Sequence, residues 1–142
     1  MSEDVELLNF IYQNSQMGVT TLKQLLPLVE DEELKKHIEK QREGYLHFHQ
    51  EAKEKLHQAG YDEEGINTFE KVRTYFMINM QTLMDKSKEH IAKMVFIGSS
   101  MGVVEAIAKI HRYPNAAKDT LDIMDELQLF EKRNMAELEN FL

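Results

Sequence analysis

Glu131 and Asn134 stand three residues apart on the apolar side of the last helical stretch of this 142-residue chain. On a helix that spacing sends both side chains to one face. Gln41 and Tyr45, with Gly44 between them, break an apolar stripe in the second stretch, and Ser15 beside Asn14 breaks the stripe of the first. Polar groups facing inward from several helices can hold a metal, hold a small ligand, or hydrogen-bond one another and fix helix register. A two-metal centre needs several carboxylates and imidazoles to balance its charge. These stripes offer one carboxylate, Glu131, and no histidine. We therefore expect no metal, no cofactor and no catalytic residue, and a polar core layer of Ser15, Gln41, Tyr45, Glu131 and Asn134 that is structural or holds a small molecule. No Lys or Arg lies on the stripes of helices one, two or five at that height, so the expected partners of Glu131 are neutral.

The other chemistry-bearing residues are less organised. His47 and His49 are two apart and diverge on a helix, whereas Glu43 and His47 are one turn apart and off the stripe, a solvated pair. His37, His57, His90 and His111 lie near helix ends without ligand spacing, and the acidic run at 30–33 reads as helix-capping charge. No serine is paired with a base in a recognisable motif. No glycine-rich phosphate loop follows a strand, because no strand is expected.

These residues must be carried by helices. Helix one is expected over Glu3–Leu26, capped by Ser2, with the stripe Val5, Leu8, Tyr12, Ser15, Val19, Leu22 and Leu26. Helix two is expected over Glu32–Gln58, with Asp31 as cap and Gly60 as its stop. Helix three begins near Thr68, where Asn67 and Glu70 form a capping-box-like pair, and ends near Asp85 or Lys86. Helix four spans Ser87 to Arg112 and holds eleven uncharged residues between Lys93 and Glu105. Apolar on most faces, it reads as the helix on which the others pack. Its uncharged run is far below the roughly 20 residues that a bilayer requires. Gly98 and Gly102 interrupt it, as close packing by a neighbour would require. Helix five is expected over Asn115–Asn140.

Composition agrees with one all-α domain over residues 1–142. The chain has no cysteine, two prolines and six glycines. Its net charge of -8 argues against nucleic acid and anionic membranes as partners. We see no signal peptide at the N-terminus and expect a cytoplasmic protein.

Helices one, two, four and five are each about 36 to 42 Å long at 1.5 Å per residue, with a shorter helix three able to return the chain between two and four. This pattern resembles the ferritin-like superfamily: an up-down bundle of four long helices plus a helical crossover packed alongside. The family places a Glu on each of two helices and Glu-x-x-His on the other two. Here Glu131 and Asn134 read as Glu-x-x-Asn, Gln41 and Gly44 as Gln-x-x-Gly, and helix one offers only Asn14 or Ser15. The resemblance implies a bacterial member of the superfamily with its iron ligands lost. The function expected is non-catalytic, by protein contact as a homodimer or with another protein. A retained metal or oxidoreductase role, or a small ligand held at the Gly98–Gly102 gap, are the alternatives.

Overall fold

The computed structural model describes residues 2–63, 70–81 and 83–142, without the side chains of 70–73, 78 and 81. These residues form five α-helices and no strand: α1 (Glu3–Leu25), α2 (Glu32–Gln58), α3 (Glu70–Gln81), α4 (Lys88–Arg112) and α5 (Lys118–Leu138). Single 3-10 turns follow α1 at Leu26–Leu28 and α5 at Glu139–Phe141.

The helices begin where side chains take up free amides. Ser2 accepts from the Val5 amide at 3.3 Å, Asp31 from Leu34 at 2.9 Å and Ser87 from His90 at 3.3 Å. α2 ends in a Schellman motif: the Gly60 amide reaches the His57 carbonyl and the Tyr61 amide that of Leu56, with Gly60 at φ 85°. α5 starts three residues later than the spacing suggests. Pro114 and Asn115 form a turn, and the extended Ala117 donates its amide to Asp4 Oδ1 across the fold at 2.7 Å. Among the described residues α3 runs to Gln81 and residues 83–87 are not helical, short of the end expected at Asp85 or Lys86; Asp85 instead accepts the Ser87 amide at 2.9 Å. The start expected at Thr68, the Asn67 cap and Gly65 lie outside the described residues.

The partners of α2 on α5 give the relative direction of the two helices. As α2 runs from His37 to Gly44 to Lys55, it meets Glu137, Phe130 and Asp119, so the pair is antiparallel. α1 and α2 are antiparallel as well: Tyr12 stacks on His49 at 4.3 Å, while the later Gly18 abuts the earlier Tyr45. α1 and α5 run the same way, joined at Asp4 with Ala117 and at Asn14 with Glu131.

α1, not α4, is the helix on which the others pack. It touches each of the other four, and residues 7–15 are all buried. Leu7 and Ile11 have no exposed surface, though they lie off the stripe that marks helix one in the sequence. A side chain of that size gains about 1.5–3 kcal/mol on full burial. α4 is covered along Ile91, Met94, Val95, Gly98, Gly102 and Ala106, but Val104 is 63% exposed and Ile107 36%. By length and composition α4 would also pass as a membrane span, with a mean hydropathy of 1.6 over a stretch that is 44% buried in the protein. The core helix of a bundle has the same composition. α3 packs chiefly on α4 and α1.

Candidate functional site

α2 places His37, Gln41 and Tyr45 on one face, because residues four apart lie one turn above another. α5 presents Glu131 to the same place, α1 presents Asn14 and α4 presents Ser99. All six are buried, and Glu131 is 2% exposed.

The Tyr45 hydroxyl donates to Glu131 Oε1 at 2.5 Å. Gln41 Nε2 donates to the Tyr45 oxygen at 3.3 Å and to Ser99 Oγ at 3.1 Å. Asn14 Nδ2 donates to Glu131 Oε2 over a longer 3.4 Å. The network reaches the surface through His37. Its Nε2 lies 2.8 Å from Gln41 Oε1, and its Nδ1 lies 2.9 Å from the half-exposed Glu137 carboxylate.

Glu131 thus has hydrogen bonds from neutral groups and no cation among them. Loss of water pushes its carboxyl up to about 7, against which the bonds from Tyr45, Asn14 and Ser99 pull down. Burial, and then the neighbouring Glu131, hold the Tyr45 phenol well above its usual range. The two shifts agree: the carboxyl is ionised with difficulty, and when ionised it keeps the phenol protonated.

The residues expected to form one layer divide. Gln41, Tyr45 and Glu131 meet. Ser15 does not join them: its hydroxyl donates to the carbonyls of Ile11 and Tyr12 on its own helix, at 2.7 and 3.0 Å. Asn134 is buried but donates to the Phe130 carbonyl at 2.8 Å and lines the outer α2–α5 groove. Asn14 takes the place given to Ser15. Ser99 and His37 complete the network. Ser99 carried a signal in the sequence, as a polar break in an apolar helix, and His37, Gln41 and Tyr45 fall at a clean four-residue spacing.

Of the two glycines of α4, Gly102 makes room for this layer and Gly98 for a ring of α3. A β-carbon at Gly102 would lie 2.7 Å from Glu131 Oε2 and 3.1 Å from Asn14 Oδ1. One at Gly98 would overlap the Phe76 ring of α3. The gap expected at Gly98–Gly102 is therefore occupied by the protein's own side chains. What remains beside Glu131 is a cavity of about 30 Å³. It is roofed by Phe76 and has room for a water or an ion of that size.

As a metal site the layer is poor. Glu131 is the one carboxylate among the residues lining the cavity, and no imidazole lines it. The donor atoms of His57, Asp62 and Glu63 lie within 4.8 Å of one another at the exposed end of α2, brought together by the turn at Gly60. Glu63 is already paired there with His57 at 2.5 Å and approached by Lys53 at 3.9 Å. Glu43 and His47 are exposed. Compared with protein-family models, curated proteins and solved structures, the chain has no match.

Proposed function

We propose that this chain is a non-catalytic helical bundle of ferritin-like architecture that works by protein contact, pairing with a second copy of itself through the outer face of α4. In this reading α1, α2, α4 and α5 are the four long helices and α3 the crossover. Gln41, Glu131 and Asn14 stand where metal ligands would be in a di-iron relative.

The observation that carries the contact is the solvent side of α4. Ile97, Met101, Val104, Ile107 and Ala108 are partly or fully exposed there, with no charge among them from Lys93 to Lys109 except Glu105 at the edge. An apolar strip on a helix that already buries its other side is a contact surface. A twofold pairing of like strips is the commonest way for one chain to cover such a face. The small Ser100 and Ala108 let two such helices approach.

Sedimentation velocity tests this. The wild type is expected at the mass of two chains at micromolar concentration. The double substitution Val104→Lys, Ile107→Lys is expected as a monomer of unchanged helicity, because two charges on each strip face two on its mate. A wild type that remains a single chain, or a double variant that remains paired, contradicts the proposal.

A further inference from the structure

The buried layer has a property that pairing through α4 does not use. Glu131 is a buried carboxyl with no cation bonded to it, next to an unfilled space. Glu131, Tyr45, Gln41, Ser99, Asn14 and Thr21 give the cavity its polar lining, and Met17, Leu22, Val95 and Phe76 its apolar lining. The polar lining is rich in acceptors. The hydroxyl hydrogen of Tyr45 and the amide hydrogens of Gln41 are already committed within the network. Carboxylate oxygens each have room for more than one donor, and besides the short bond from Tyr45 the Glu131 carboxylate takes a 3.4 Å bond from Asn14 and a bond from Ser99. The oxygens of Ser99 and of the Asn14 amide add further acceptors.

A ligand for this space must therefore donate hydrogen bonds, carry a single positive charge and be about the size of a water at its head. A divalent metal would meet one negative charge and neutral oxygens, leaving its second charge unbalanced. A guanidinium would have to fit all four of its heavy atoms into the space of about 30 Å³ beside Glu131, whereas an ammonium head places one there. An ammonium group has the size of water, three or four donors and one charge.

We propose that the cavity beneath Phe76 is a binding site for a primary ammonium group, the head of a short alkylamine. Its nitrogen sits on Glu131 and its alkyl tail runs along Met17, Leu22 and Val95 towards the slot that Phe76 now fills. Gly98 is part of the device, since any side chain there would take that slot. Phe76 is the gate: it is carried by α3, which packs chiefly on two of the other helices. The site does not depend on the pairing through α4.

The groups facing Glu131 fix how binding must vary with pH. From α1 it meets Asn14, from α2 Tyr45, and from α4 Ser99 and Gly102. None carries charge near neutrality. His37 stands beyond Gln41, one hydrogen bond further out. The ammonium ion binds the ionised carboxylate, so binding strengthens as pH rises through about 7. The apparent affinity falls with the fraction of competent protein, so it should be about tenfold weaker at pH 6 than at pH 8.

Isothermal titration calorimetry of the full chain with ethylammonium chloride, at constant ionic strength, reads this directly. The expected result is saturable binding at pH 8, about tenfold weaker at pH 6, absent with ethanol and abolished in Glu131→Gln. Binding of ethanol equal to that of ethylammonium, affinity that does not change with pH, or no saturable binding at all overturns the proposal. The ethanol and pH arms use the wild type alone, so they decide for or against the site whether or not Glu131→Gln folds.

Discussion

Gly18→Ala should destabilise the protein by about 3 kcal/mol, at the upper end of what overpacking a core costs. A β-carbon at Gly18 would overlap the Tyr45 ring along one edge, including the ring atom nearest the backbone. Such a clash cannot be relieved by a small swing of the ring tip. The ring is also held at its far end by the short bond to Glu131 and by Gln41. Moving it leaves a buried carboxylate short of its best donor, which adds a desolvation penalty to the steric one. Gly98→Ala makes the useful contrast. There the added carbon meets only the tip of the Phe76 ring, on a helix with few neighbours. Denaturant titration of both variants should give the Gly18 change the larger loss. Equal losses would mean that the Tyr45 network does not hold the ring in place.

Glu131→Gln should leave the protein more stable than the wild type above neutrality, by about 2–3 kcal/mol more at pH 8 than at pH 5. The sign follows from the raised carboxyl. A folded-state value of about 7 against 4.5 unfolded means that the unfolded chain gives up its proton first. Below 4.5 both states are protonated and Glu131 has no linked effect. Between 4.5 and 7 the wild type loses stability as pH rises, and above 7 the loss is complete. Glutamine does not titrate, still accepts from Tyr45, and needs only a turn of the Asn14 amide to keep its second bond. Chemical denaturation of both proteins from pH 5 to pH 8 measures the difference. A gap that stays constant with pH would show that the folded protein ionises Glu131 as readily as the unfolded chain does.

Helix ends were legible because capping is local chemistry. Ser2, Asp31 and Ser87 each bond an amide three residues on, and Gly60 adopts the left-handed angle that stops α2. The α2 stripe from Leu34 to Leu56 is buried as its period implies, and Glu131 and Tyr45 meet because both lie on such stripes. Burial of whole helices was less legible. α1 is covered nearly all round although its sequence marks one stripe, while α4, apolar all round, leaves Val104 and Ile107 in solvent. Periodicity reports which face prefers to be covered, not how many neighbours the topology supplies. Within the site, Ser15 and Ser99 are the same residue type in similar apolar surroundings. Ser15 turned to its own backbone and Ser99 to Gln41 across the fold, a choice that depends on the neighbour in reach.

The attachment of α3 has a consequence for how the molecule opens. Of its described side chains only Phe76 is buried, while Tyr75, Asn79 and Met80 are half-buried and Met77 is exposed. Among its described side chains, detaching it withdraws the Phe76 ring from above Gly98 and uncovers the half-buried Tyr75 and Met80, whereas detaching α1 takes apart contacts with every other helix. The protein should therefore have two levels of opening. Deuterium should enter the amides of α3 through a local excursion, with α1 still protected, and reach the amides of α1 only through global unfolding. Phe76→Ala should raise the exchange rate of α3 and leave that of α1 set by overall stability. Every excursion of α3 exposes the water-sized space beside Glu131 to bulk solvent, so the helix that closes the fold least firmly also sets how often its buried acid meets the outside.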